Sequence, residues 1–96
     1  MWAELGFYDL AAQQYNWTKL DELLELTNLT GNIAWQDGEP VLHLHATVSD
    51  ASMHAYGGHL KEAEVGGTVE VMIHAIVSDG LTRKLDESTG LNLLDL

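Results

Sequence analysis

The chain has 96 residues, 46% of them hydrophobic, with 15 acidic side chains against 4 basic ones and a formal net charge of −11. That is the length of one domain with ordinary apolar content, which excludes wholesale disorder. Duplex DNA is held largely by lysine and arginine neutralising phosphates, so a chain this acidic is not expected to bind it alone, even with every histidine protonated.

No apolar run approaches the ~20 residues of a membrane helix. The opening MWAELGFYDL has neither the basic start nor the long apolar centre of a signal peptide. With no cysteine there are no disulfides and no thiolate metal ligands, and a cytoplasmic location is the expectation.

Residues 1–8 read as a strand, 9–14 as a turn or short helical connection, and the aromatic YNWT at 15–18 as a second strand paired with the first. Residues 20–29 are ambiguous. Thr18 with Asp21 fits a capping box, and Leu20, Leu23 and Leu24 share one helical face; Leu24, Leu26 and Leu29 also suit a strand. A short helical turn feeding a strand is the expectation there. Residues 33–36 form a strand closed by Asp37 and Gly38, a strong hairpin signal, and Pro40 can start the next strand.

Residues 41–48 are the clearest strand. Side chains two apart share a face, so His43 and His45 project together while Leu42, Leu44, Ala46 and Val48 pack on the other side. A polar connection, 49–56, follows. His59 comes after Gly57 and Gly58, a pair that can turn the backbone sharply. Residues 68–77, TVEVMIHAIV, read as a central strand buried on both faces. Residues 83–96 are a short tail ending in LNLLDL, too apolar to stay in solvent. The overall expectation is one α/β (α+β) domain over residues 1–96, mostly antiparallel sheet with little helix.

Three neutral imidazoles converging from a strand and a neighbouring turn can hold a divalent ion with one position open, and His43, His45 and His59 are the candidates. The competing reading for His43 and His45 is a pair of polar side chains on a half-solvated sheet face. An all-imidazole set suits zinc first, with iron, nickel, copper and cobalt open. His74 shares its face with Glu70, Met72 and Ile76 and reads as a buried or interface side chain, and His54 as a solvated one. Glu70 is a weak candidate for an outer acceptor or general base and Tyr56 for a pocket wall. The tryptophans and Phe7 are expected in the core or a subunit contact. No residue stands out as catalytic; serine-triad spacing, phosphate loops and dinucleotide fingerprints are absent from the sequence.

Taken in order, AELGFYD, LTNLTGNIAWQDGEPVLHLHATVSD, YGGHL, VGGTVEVMI and RKLDESTGLNLLDL resemble the PPC domain, plants and prokaryotes conserved, across essentially the whole chain. The resemblance implies an α/β domain with a dominant antiparallel sheet, a homotrimer, and a zinc site carried over to His43, His45 and His59. Prokaryotic members commonly carry a DNA-binding label; in plants separate AT-hooks contact DNA while this domain supports oligomerisation and partner binding. The wider fold resembles acetolactate decarboxylase, whose zinc is held by three histidines. Two departures stand out. The family's initial strand, helix and strand have no counterpart before Trp2, so the chain reads as N-terminally truncated relative to the family, and it carries no basic AT-hook. A metal-binding, oligomerising regulatory protein, acting with a partner that supplies DNA contacts, is placed ahead of a metal-dependent enzyme acting on a small molecule.

Overall fold

Short turns joining long strands set the architecture of the computed structural model, which describes residues 2–96. Strands β1 (Trp2–Asp9), β2 (Gln14–Leu20), β3 (Glu25–Gln36), β4 (Glu39–Ser49) and β5 (Ala55–Glu64) form one antiparallel sheet in the order β2-β1-β5-β4-β3. Strands β6 (Arg83–Asp86) and β7 (Leu91–Leu94) form a separate hairpin. Among the described residues there is no helix, and none that could cross a membrane.

The β3–β4 turn is the one the sequence announces: Asp37 and Gly38 have φ of 52° and 80°, as a type I′ hairpin requires. Between β4 and β5, Asp50 Oδ1 accepts from the amides of Ser52 at 2.8 Å and His54 at 3.0 Å, closing the connection. Ala3, Leu5, Ala34, Ala46 and Val48 are the buried apolar residues, and Leu20, Leu24, Leu29 and Leu60 pack around the cluster that Leu5, Ala46 and Val48 form. The alternation in β4 therefore divides the sheet as read, with Ala46 and Val48 on the core side. Leu42, at the end of that row, is 58% exposed.

Four expectations are corrected. The helical turn in residues 20–29 does not form; residues 21–24 are a loop and β3 starts at Glu25, because Glu25, Leu26 and Leu29 pair with Ser49, Val48 and Ala46 of β4. Tertiary pairing overrides the local capping pattern. Residues 68–77 belong to no strand and are exposed throughout, with Met72 at 90% and Val77 at 103%. Their apolar pattern expresses a side-chain preference, but a strand also needs backbone partners, and none of the described strands pairs with them.

Gly57 and Gly58 make no turn. They lie inside β5, where Gly58 pairs with Ala46 of β4 and a Cβ on it would stand 2.8 Å from the carbonyl oxygen of Gly6 in β1. Glycine is needed here for close approach of two backbones. The tail is not a simple tail either: β6 and β7 pair in register, from Arg83 with Leu94 to Asp86 with Leu91. Their turn is built by Asp86 Oδ2, which accepts from Ser88 Oγ at 2.8 Å and Thr89 Oγ1 at 2.7 Å. Of the two places expected for the aromatics, core or subunit contact, Trp17, Trp35 and Phe7 lie outside the core, at 38%, 48% and 74% exposed.

The hairpin is tied down at both ends. Trp35 N of β3 donates to Leu81 O, just before β6, at 2.8 Å. At the tip, Tyr8 donates its hydroxyl to Thr89 O, and Gln13 Nε2 donates to Ser88 O at 3.0 Å. These anchors, on β3 at one side and on β1 and the β1–β2 turn at the other, stretch the hairpin across the face that carries His43.

Candidate metal centre

Register brings the three histidines together. His45 in β4 pairs directly with His59 in β5, and His43 lies two residues along β4 on the same face. One potential ligand atom from each ring lies within 4.8 Å of the others, and ring centroids are 5.1 to 5.6 Å apart. His43 and His59 are half-buried and His45 is exposed. Around an ion bound at about 2.05 Å, tetrahedral donors stand about 3.4 Å apart, a contraction that side-chain rotation on adjacent strands can supply. The residues present thus fit a divalent ion, and no other cluster of three His, Cys, Asp or Glu with such spacing occurs among the described residues.

The row continues beyond His59. Gly6 of β1 pairs with His59 on one side and with Trp17 of β2 on the other. A Cβ on Gly6 would overlap the Trp17 ring and meet Tyr15 at 3.0 Å. Its absence lets the β2 aromatics lean over β1 toward the histidines. Tyr15 stacks on Trp17 at 4.6 Å, and its hydroxyl lies 3.4 Å from His59 Nδ1. Burial, with Tyr8 nearby, raises the Tyr15 phenol above its ordinary value, so it stays protonated. A phenol can donate to a bare Nδ1 or accept from Nδ1–H, so it can orient His59 in either tautomer.

His43 has a different neighbour. Arg83 of β6 donates from Nη2 to His43 Nδ1 at 3.2 Å and to Asn32 Oδ1 at 2.7 Å, and from Nη1 to Asn92 O at 2.9 Å. Burial, then Arg83, then His45 lower the His43 pKa; burial, then His43, then His45 lower that of His59. A lowered folded value stabilises the fold above the unfolded value of about 6.5 and withdraws that contribution as pH falls through the folded value. The melting temperature of metal-free wild type should therefore fall more steeply between about pH 7 and about pH 5 than that of His59→Gln, whose side chain does not titrate. Parallel curves would remove His59 from this account.

The remaining candidates lie elsewhere. Tyr56 pairs with Val48, which puts it on the core side of the sheet, and its hydroxyl donates to Asp50 Oδ2 at 3.2 Å. His54 sits 3.4 Å from the same carboxylate. Glu70 and His74 are exposed in the unpaired segment: Glu70 is a surface carboxylate rather than an outer acceptor, and of the two positions expected for His74 the buried one is not realised. Sequence reasoning missed Tyr15 and Arg83. The alternation of Tyr15 and Trp17 in β2 could have pointed to the former; the contact with Arg83 spans 40 positions and left no local signal.

Between the sheet and the β6–β7 hairpin lies a cleft of about 650 Å³, lined by the three histidines, Tyr15 and Arg83 among others. Its size is in the range of small-molecule sites.

The Plants and Prokaryotes Conserved (PCC) domain model matches residues 2–77. No curated protein matches the chain. Among solved structures, one from Ralstonia eutropha JMP134 named a "Putative DNA-binding protein" is 35% identical with a TM-score of 0.79. A second of that description, from Bacteroides thetaiotaomicron VPI-5482, is 32% identical with a TM-score of 0.85. A "Metal-containing Protein" from Archaeoglobus fulgidus is 31% identical with a TM-score of 0.78. These matches take in 99%, 98% and 99% of this chain but 65%, 65% and 66% of the solved chains, so it spans just under two thirds of their length.

Proposed function

This chain belongs to the Plants and Prokaryotes Conserved domain family, and from that premise we propose that it is a metal-binding, self-associating regulatory module. A divalent ion, zinc before other transition metals, is held by His43, His45 and His59. The observation that carries this is the approach of the three imidazoles to within 4.8 Å on two paired strands. The name of the Archaeoglobus relative is in keeping with it. Elemental analysis of protein purified without an affinity tag should find close to one equivalent of metal per chain; a metal-free protein that takes up no zinc in titration would refute the reading.

The module assembles as a homotrimer in the cytoplasm. Self-association is supported by the apolar surface left open, including Phe7, Leu42, Ile73 and Ile76, each more than half exposed. Light scattering at micromolar concentration should give a trimer mass, and a monomer would reject the assembly. A net charge of −11 leaves DNA contact to a protein partner. The isolated chain should give no electrophoretic shift of duplex DNA at physiological salt.

The cleft favours a second reading, a metal-dependent enzyme acting on a small molecule. Bound zinc with an open position would supply Lewis acidity. His59 would be held by Tyr15, the β6–β7 hairpin would exclude water, and Arg83 would supply positive charge. None of the residues lining the cleft is a carboxylate general base.

A further inference from the structure

The hairpin over the histidines carries one cation with an unusual set of partners. The guanidinium of Arg83 donates to Asn32 Oδ1, Asn92 O and His43 Nδ1, all uncharged, and its Nε is buried without a hydrogen-bond partner. A planar fork of N–H groups is matched best by a carboxylate or phosphate. In a chain with 15 acidic residues such partners are abundant, yet not one of the residues lining the cleft is Asp or Glu.

Metal loading would sharpen the mismatch. His43 offers Arg83 an acceptor only while the Nδ1 lone pair is free. Coordination through Nδ1 would use that lone pair. Coordination through Nε2 would leave a neutral ring with its proton on Nδ1, turning an acceptor into a donor. In both cases the guanidinium loses a partner and stands beside a dication whose three ligands carry no charge. Two like charges in a partly desolvated place without a carboxylate call for an anion.

We propose that Arg83 is the anion-binding residue of a small-molecule site, and that the metal-loaded cleft takes a small organic carboxylate shared between Arg83 and the ion. This rests on the metal reading above. The oxyanion chemistry is common to carboxylates and inorganic phosphate. The walls choose between them: Val41, on the same face of β4 as His43, and Leu91 and Leu93 of the hairpin offer an aliphatic body something to bury against, and a bare phosphate nothing.

Calorimetric titration with butanoate tests this. Zinc-loaded wild type should bind butanoate saturably and more tightly than inorganic phosphate. Arg83→Gln, with unchanged circular dichroism and zinc stoichiometry, should bind it at least about tenfold more weakly, as expected for loss of a charged hydrogen-bond partner. Arg83→Lys, which keeps the charge without the fork, should fall between; should Arg83→Gln not fold, the lysine variant decides, and wild-type affinity in it overturns the proposal. Equal butanoate affinity in wild type and Arg83→Gln overturns it, as does a preference for phosphate. Failure of the metal reading shows separately, as no zinc uptake. Butanoate is then titrated into the metal-free protein: binding lost in Arg83→Gln supports the Arg83 site, and no binding overturns it.

Discussion

Zinc affinity should drop by more than about a hundredfold in His45→Ala, while the stability of the metal-free protein changes by no more than about 0.5 kcal/mol. The stability half of this expectation comes from the exposure of His45 and the affinity half from its place among the three donors. Its ring has no protein hydrogen-bond partner among those described for the site, and truncating an exposed side chain on a sheet seldom alters folding. Its nitrogen, however, is one of three donors within 4.8 Å. A structural zinc ion contributes about 10–16 kcal/mol of apparent binding free energy, so the loss of one donor corresponds to about 3 kcal/mol or more. Competition against a chromophoric chelator measures the first half and urea unfolding the second. A variant that kept wild-type affinity would make His45 a bystander. His59→Ala should lose metal as well, but it also removes the ring that meets Tyr15 at a tilt, centroids 4.9 Å apart, so its effect on stability is the less specific test.

Much of the site was legible because β4 alternates so cleanly. Parity alone puts His43 and His45 on the face opposite Ala46 and Val48, and burial follows that division. The glycines before His59 suggest a turn in the sequence, whereas in the structure they let β5 run close beside β1. Turn or strand, the third histidine reaches the other two, because β5 pairs with β4 and carries it opposite His45.

What local patterns could not express was any feature that depends on a distant partner. Leucine spacing around residues 20–29 fits a helix until β4 supplies a strand to pair with. The apolar run at 68–77 fits a strand until one asks what lies beside it. Arg83 reads as one of four basic residues in an acidic chain, and its value to the site is set by the hairpin that lays it against Asn32 and His43. The general sheet character was encoded in short-range alternation, and the cleft was encoded in contacts across 40 positions or more.

Gly31→Ala should be the most disruptive single-methyl change in the chain, and it should injure the site through the fold. Gly31 in β3 pairs with Leu44 in β4, and a Cβ built on it would overlap the carbonyl oxygen of His43 and lie 2.9 Å from Leu44 Cα. Both obstacles are backbone, so no rotamer change relieves them; the strands must separate. Overpacking costs about 1–3 kcal/mol when side chains can yield, and here more than about 3 kcal/mol is expected, a fall in melting temperature of at least about 12 °C for a domain of this size. Gly67→Ala is the matched control, since nothing lies within 4 Å of its Cβ, and its change should stay within about 0.5 kcal/mol. The strand that must move is the one carrying His43 and His45, so zinc affinity should fall in Gly31→Ala although no ligand has been altered. Native stability with weakened zinc binding would uncouple the β3–β4 ladder from the histidines. Loss of both together would show that the close approach at Gly31 holds β4, and with it two of the three imidazoles, in place.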